Sequence, residues 1–251
     1  MGGTAGDDRS GITALSRGLA VLRCFTAEVS DLSTVEIARL TGLPQPTVWR
    51  ICRTLIQDGY MSHAPGGTRL RVTPKVMSLG LPSLKRLGFI AAAAPAMQEL
   101  ADRFRGAVSL STGDRAGMLI LQRCLGDQEL TLNISVGSIV PFGRSVLGWA
   151  YLAGISPGER STIIGAMDTL QRPPMDEILA EVARHGNCVK WSTVPGDFSA
   201  VGMSFRIQRQ EAPLVVGCAV TTGFKSAQEL RAEVGVKLKA IADGIKEAAE
   251  W

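Results

Sequence analysis

The residues of this chain that could do covalent chemistry are not grouped so as to do it. Gly143-Arg144-Ser145-Val146-Leu147 approaches a nucleophile elbow, but that pattern needs glycine where Leu147 stands. A serine triad would have to draw its base from His63 or His185, the only two histidines. One falls in a hairpin and the other at a helix end, places where a solvated histidine is ordinary. The five cysteines, Cys24, Cys52, Cys124, Cys188 and Cys218, are odd in number, widely spaced and set among apolar neighbours, which suits free buried thiols and no metal centre. A Gly-Lys-Ser/Thr phosphate loop, a dinucleotide fingerprint and a paired His-Glu metal motif are all missing from the sequence. The sequence therefore predicts no enzyme and no cofactor.

A second set of side chains suits reversible contact with a polyanion. Gln45, Thr47, Trp49, Arg50 and Arg53 fall within nine residues, and Arg69 and Arg71 follow two apart. Amide, hydroxyl and guanidinium groups are the ones that read base edges and hold phosphates. Residues 1–86 carry eleven Lys/Arg against six Asp/Glu, a net +5, while the whole chain is +4, so the remaining 165 residues are about −1. Such asymmetry points to nucleic acid for the N-terminal third and another task for the rest. Arg17 joins the candidate DNA contacts.

The elements that would position these groups follow from periodicity. Ile12, Leu15, Leu19, Leu22 and Phe25 recur at three- and four-residue steps and predict a first helix with one buried stripe. Ser33-Thr34-Val35-Glu36 fits a capping box, so a second helix carrying Val35, Ile37, Ala38 and Leu40 begins there and stops near Gly42. Pro44 and Pro46 preset a third helix, with Val48, Ile51, Cys52, Leu55 and Ile56 on one face. The pair makes a helix-turn-helix, whose second helix lies in the major groove with its N-terminal side chains at base edges. Tyr60–His63 and Thr68–Val72, joined by Pro65-Gly66-Gly67, read as a hairpin wing on which Arg69 and Arg71 share a face along phosphates. Arg50 sits in the exposed arc of the third helix; Arg53 fits a base contact and a solvated surface position equally.

Ser16–Leu22, Glu36–Arg50, Leu55 and Gly59-Tyr60 resemble IclR-family transcriptional regulators, and the resemblance continues through Leu79-Gly80, Val136–Phe142 and Gly148–Ala153. It implies a homodimer or dimer of dimers, held partly through the first helix and a linker helix, on a pseudo-palindromic double-stranded DNA operator. It also implies a C-terminal effector-binding domain similar to GAF domains.

The expected division is a disordered N-terminus at 1–10, a winged helix-turn-helix at 11–73, a linker helix at 74–88 and an effector domain at 89–251. In the last, a helix over Ala91–Arg105 leads into strands over Ala107–Thr112, Met118–Arg123, Leu130–Val136, Cys188–Trp191, Phe198–Phe205 and Leu214–Thr222. Helices over Phe142–Ala153, Gly158–Met167, Met175–His185 and Ser226–Trp251 accompany them. That order predicts an α+β domain with helices on one side of an antiparallel sheet, and a ligand between the sheet and the helix starting near Gly143.

By alternation Phe198, Ala200 and Gly202 share a face, as do Val215, Gly217, Ala219 and Thr221. Small residues there leave room for a ligand or let a helix close in; the first reading carries more weight. The resemblance puts effector contacts at Ser145, Val146, Leu147, Trp191, Phe198, Ala200, Ala219 and Thr221. Where many members have an acidic residue, a Cys and a Ser, this chain has Lys190-Trp191, Ala200 and Ala219, which suggests a bulky or aromatic organic acid, its charge at a helix N-terminus.

The sequence lacks a run of about 18 apolar residues and a signal-peptide pattern, so a cytoplasmic protein without a membrane partner is expected. The expected function is ligand-modulated, sequence-specific transcriptional regulation. The alternatives are an architectural DNA binder without a ligand, and a small-molecule hydrolase that depends on Ser145.

Overall fold

The computed structural model describes residues 13–26, 29–114, 117–127, 134–192, 197–208, 210–221, 224 and 226–249, with the backbone alone at 83–86. The expectation for residues 1–10 lies outside these. The chain divides into two compact units, Met1–Arg86 and Leu87–Trp251.

In the first unit α1 (Thr13–Leu22), α2 (Thr34–Thr41) and α3 (Gln45–Gln57) pack around Val21, Leu32, Ile37, Val48, Cys52, Met61 and Leu70. The capping box forms as its spacing requires. Ser33 Oγ accepts the Glu36 amide at 3.3 Å, and the Glu36 carboxylate accepts the Ser33 amide at 2.8 Å. Gly42, at φ +67°, ends α2 in the left-handed region that any Cβ would disfavour. The stripe on α1 departs from expectation: Leu15 and Leu19 are 62% and 44% exposed, and only Val21 on that helix is buried. Val35 and Leu40 on α2 are likewise exposed, because three short helices have too little inward surface to take every apolar residue.

β1 (Met61–His63) and β2 (Leu70–Val72) form the antiparallel hairpin, with Gly66 and Gly67 at positive φ in its turn. Leu32 adds a bridge to Leu70, with amide–carbonyl bonds of 2.9 and 2.8 Å, which ties the wing to the start of α2. A 3-10 turn at Pro74–Val76 then leads into α4 (Met77–Arg86).

The second unit is built on a six-stranded antiparallel sheet. α5 (Gly88–Arg103) precedes β3 (Ala107–Asp114) and β4 (Gly117–Leu125); β5 (Ile139–Val140), α6 (Val146–Gly154), α7 (Pro157–Gly165) and α8 (Met175–His185) follow. β6 (Cys188–Lys190), β7 (Phe198–Phe205) and β8 (Leu214–Thr221) complete a sheet of order β5-β4-β3-β8-β7-β6. The C-terminal helical run breaks into α9 (Ala227–Leu230), a π-helical turn at Arg231–Gly235 and α10 (Val236–Ala249). Of the strand expected at Leu130–Val136, residues 128–133 lie outside the described part and Ile134–Val136 are loop and turn; the partner of β4 is β5.

The expectation of helices on one side of the sheet is corrected. α5 and α10 cover one face around Val108, Val201, Val216 and Cys218; α6 and α8 cover the other around Met118, Ile120, Ala200 and Val215. The cause is legible in β8, Leu-Val-Val-Gly-Cys-Ala-Val-Thr, which is apolar at consecutive positions and so needs cover on both faces. The edge strands β5 and β6 have two and three residues, too short to recruit another chain's strand.

Candidate functional site

Two surfaces gather the side chains singled out by sequence, one in each unit. On α3 the N-cap is Pro44, and Pro46 occupies the first turn, where its missing N–H costs nothing. Val48 and Cys52 turn inward, which leaves Gln45, Trp49, Arg50 and Arg53 exposed and Thr47 half-buried. The Arg53 guanidinium lies over the Trp49 ring at 5.4 Å, so the two form one stacked unit. They line a surface groove of about 300 Å³ with Thr34, Ile56, His63 and Thr68. No carboxylate among the described residues pairs with Arg17, Arg50 or Arg53, and their charge faces outward.

Arg69 and Arg71 are placed differently from expectation. Arg69 bonds both oxygens of Glu36 at 2.9 Å and the Asp31 carbonyl at 3.0 Å. Arg71 grips the Asp31 carboxylate through Nε at 3.0 Å and Nη2 at 2.8 Å. Both guanidinium groups are thus spent on fastening the wing to the segment that leads into α2. The Ser33 amide and hydroxyl, and then Arg69, hold the Glu36 carboxyl down at about 2. Lys75, itself exposed, donates to the Asp58 carbonyl at 2.6 Å with its Nζ over the Tyr60 ring.

In the second unit, β7 and β8 pair Phe198 with Thr221, Ala200 with Ala219 and Gly202 with Gly217, so the predicted small residues stand side by side. They face α6. A Cβ on Gly202 would lie 2.8 Å from the Val146 carbonyl, and one on Gly217 would lie 2.6 Å from Leu147 Cδ2. At these two glycines close packing of α6 is the outcome, and no room is left. One step along the strands, Phe198, Ala219 and Thr221 are only half-buried, so the surface over them opens. Lys190, opposite Ala200 across the β6–β7 pair, sets its Nζ 4.6 Å from the Phe198 ring centre. Trp191 does not join this group. It packs with the α5 and α10 core, because alternation along β6 sends Cys188 and Lys190 to one face and Val189 and Trp191 to the other. Of the Lys190-Trp191 pair, sequence reasoning chose Trp191 as the contact, whereas Lys190 is the one beside Ala200 and Phe198.

Ser145 caps α6: its Oγ accepts the Gly148 amide at 3.1 Å and donates to the Pro141 carbonyl at 3.2 Å. Gly148 is required because a Cβ would strike the Phe142 backbone, and Trp149 Nε1 anchors the same turn on the Gly143 carbonyl at 2.8 Å. A hydroxyl with both bonding directions used on backbone, and with no histidine against it, is a cap rather than an activated nucleophile. All five cysteines are free thiols. Burial pushes Cys188 and Cys218 up to about 12 and Cys52 to about 11, far from the thiolate that reaction or metal binding needs. No helix among the described residues is long and apolar enough to cross a membrane.

Residues 14–65 match the IclR helix-turn-helix domain. An IclR-family transcriptional regulator from Brucella abortus is 30% identical, with 99% of this chain and 96% of that one superimposing at a TM-score of 0.80. This chain belongs to the IclR family. The HTH-type transcriptional regulator TsaQ1/TsaQ2 of Comamonas testosteroni is 27% identical over 244 residues, 94% of this chain and 87% of that protein. An IclR homologue from Microbacterium hydrocarbonoxydans, solved with 4-hydroxybenzoate, shares the fold at a TM-score of 0.77 and 18% identity, over 95% of this chain and 99% of that one. As an IclR-family protein the chain is a DNA-binding transcriptional regulator, with an N-terminal helix-turn-helix and a mixed α+β C-terminal domain on an antiparallel sheet.

Proposed function

We propose that this IclR-family protein reads a specific operator through α3 and that a small organic acid, bound beside α6, modulates that reading. The observation that carries it is the outward set on α3: Gln45, Trp49, Arg50 and Arg53 exposed, and neither arginine in an ion pair among the described residues. Gln45, Thr47 and Arg50 supply hydrogen bonds to base edges; the Trp49–Arg53 stack and Arg17 lie toward the backbone. Arg69 and Arg71 set the wing's position, and they meet phosphates only by exchanging their carboxylate partners.

In this reading residues 11–73 are the reader, 74–88 the connecting helix and 89–251 the sensor. A second copy covers the apolar residues exposed on α1 and α4. Leu15, Leu19, Met77, Leu79 and Leu81 are all more than two-fifths exposed, and burying a leucine contributes about 1.5–3 kcal/mol. A two-fold dimer presents two recognition helices to a pseudo-palindrome. The effector lies over Ala219, with Phe198, Thr221 and Lys190 around it and the first turn of α6 as a wall. The aromatic acid in the Microbacterium structure supports an acid with an apolar body.

The test is fluorescence anisotropy of the full chain on its own promoter DNA and on a scrambled duplex at physiological salt, with and without a panel of aromatic and short-chain acids. Promoter preference that an acid shifts is expected. Equal binding to both duplexes under all conditions would replace the reading with a general architectural binder.

A further inference from the structure

On the α6 face of the sheet, Ala219 pairs with Ala107, Gly217 with Ser109, and Ser109 in turn with Arg123 of β4. Arg123 therefore points to the same side as the small-residue floor. Its Nη1 donates to Ser109 Oγ at 3.2 Å. Its Nε and Nη2 are closed off from solvent and have no hydrogen-bond partner among the described residues. Burial pushes the guanidinium down, and no carboxylate among the described residues acts on it in the opposite sense. A guanidinium stays charged in a protein, so this half-buried residue is a cation with two shielded, idle donors.

The idle pair is chemically particular. Nε and Nη2 form the edge of a guanidinium whose two parallel N–H bonds match the two oxygens of one carboxylate. The chain uses that edge once already, where Arg71 holds the Asp31 carboxylate at 3.0 and 2.8 Å. At Arg123 the same edge is paired with no carboxylate among the described residues.

We propose that Arg123 anchors the effector's carboxylate through its Nε–Nη2 edge; this rests on the α6-side effector site argued above. The ligand is then an acid whose charge lies at the β4 side of the floor and whose apolar body extends over Ala219 toward Phe198. Lys190 stands at the opposite margin with its charge already over the Phe198 ring. A leaving position for the ligand's charge in water would forfeit the fork, so the acid and its neutral amide must bind very differently.

The test is calorimetric titration of the full chain with acetate, benzoate and phenylacetate, each against acetamide, benzamide and phenylacetamide, repeated on Arg123→Met and Arg123→Lys. At least one acid is expected to bind wild type about ten- to a hundredfold more tightly than its amide, the scale of a charge-assisted pair. Arg123→Met should erase that preference while amide binding stays within about twofold, and Arg123→Lys, a charge without the fork, should fall between. An amide equal to its acid in wild type overturns the anchor and leaves the pocket standing, as does an acid preference that survives Arg123→Met. Binding of neither acids nor amides overturns the pocket and the anchor together. The wild-type comparison decides by itself if the methionine variant fails to fold.

Discussion

Gly202→Ala is the substitution whose cost the structure specifies best. The new methyl would stand 2.8 Å from the Val146 carbonyl oxygen and 3.2 Å from Val146 Cγ2. The first of these is backbone in the opening turn of α6, held by the Ser145 cap and by Trp149 Nε1 on Gly143, so it cannot rotate away. Its neighbour Gly217 offers the control: there the added methyl meets Leu147 Cδ2 at 2.6 Å, the end of a side chain with other rotamers. Overfilling a packed site of the first kind costs about 1–3 kcal/mol, and Gly217→Ala should cost less. In a unit of this size the loss lowers the melting temperature by about 3–10 °C. Because α6 forms a wall of the effector site, Gly202→Ala should also weaken the acid more than Gly217→Ala does. Scanning calorimetry and urea titration of both variants check the order. Equal losses, or a larger loss at Gly217, would refute the claim that Gly202 is there for the backbone of α6.

Arg50→Ala should lower preference for the operator by about 1–3 kcal/mol and change binding to random DNA little; equal losses on both duplexes would remove Arg50 from base reading. Asp31→Asn frees Arg71, so it should raise affinity for random DNA and steepen the salt dependence by roughly one phosphate contact, whereas an unchanged slope would mean that Asp31 does not neutralise Arg71. Glu36, depressed to about 2 in the folded chain from an ordinary 4.5, contributes stability that is fully present above about pH 4.5 and lost as pH falls toward 2. Amide exchange in α2 of wild type and Glu36→Gln should therefore differ at neutral pH and converge near pH 2. A gap of constant size across that range would rule the carboxylate out as its source.

Local chemistry was readable where cause and effect are close in sequence. Ser33 and Glu36 are three residues apart and cap α2; Gly42 ends it; Met175–His185 and Phe198–Phe205 fold within the bounds their periodicity sets. What escaped depends on partners far along the chain. The carboxylates that hold Arg69 and Arg71 are 33 and 40 residues away, and no spacing rule links them. Alternation groups Lys190 with Cys188 and Trp191 with Val189, but it does not say which pair meets α6. The exposed Leu15 and Leu19 obey helical periodicity as well as a buried pair would, since a repeat of 3.6 marks a face without naming what covers it. The π-helical turn at Arg231–Gly235 sets Arg231 against Asn187 and Glu181, again through distant contacts.

The carboxylate of Glu36 serves two elements at once: it closes the first turn of α2 and it clasps Arg69 on the wing. With Arg71 clasping Asp31 just ahead of that turn, the hairpin and the helix-turn-helix are bolted together at their shared corner. Prying the hairpin away would uncap the helix beneath it. The reader is thus a stiff tool with little freedom to change its own shape, and a signal that alters its grip on DNA has to work by moving it as a whole.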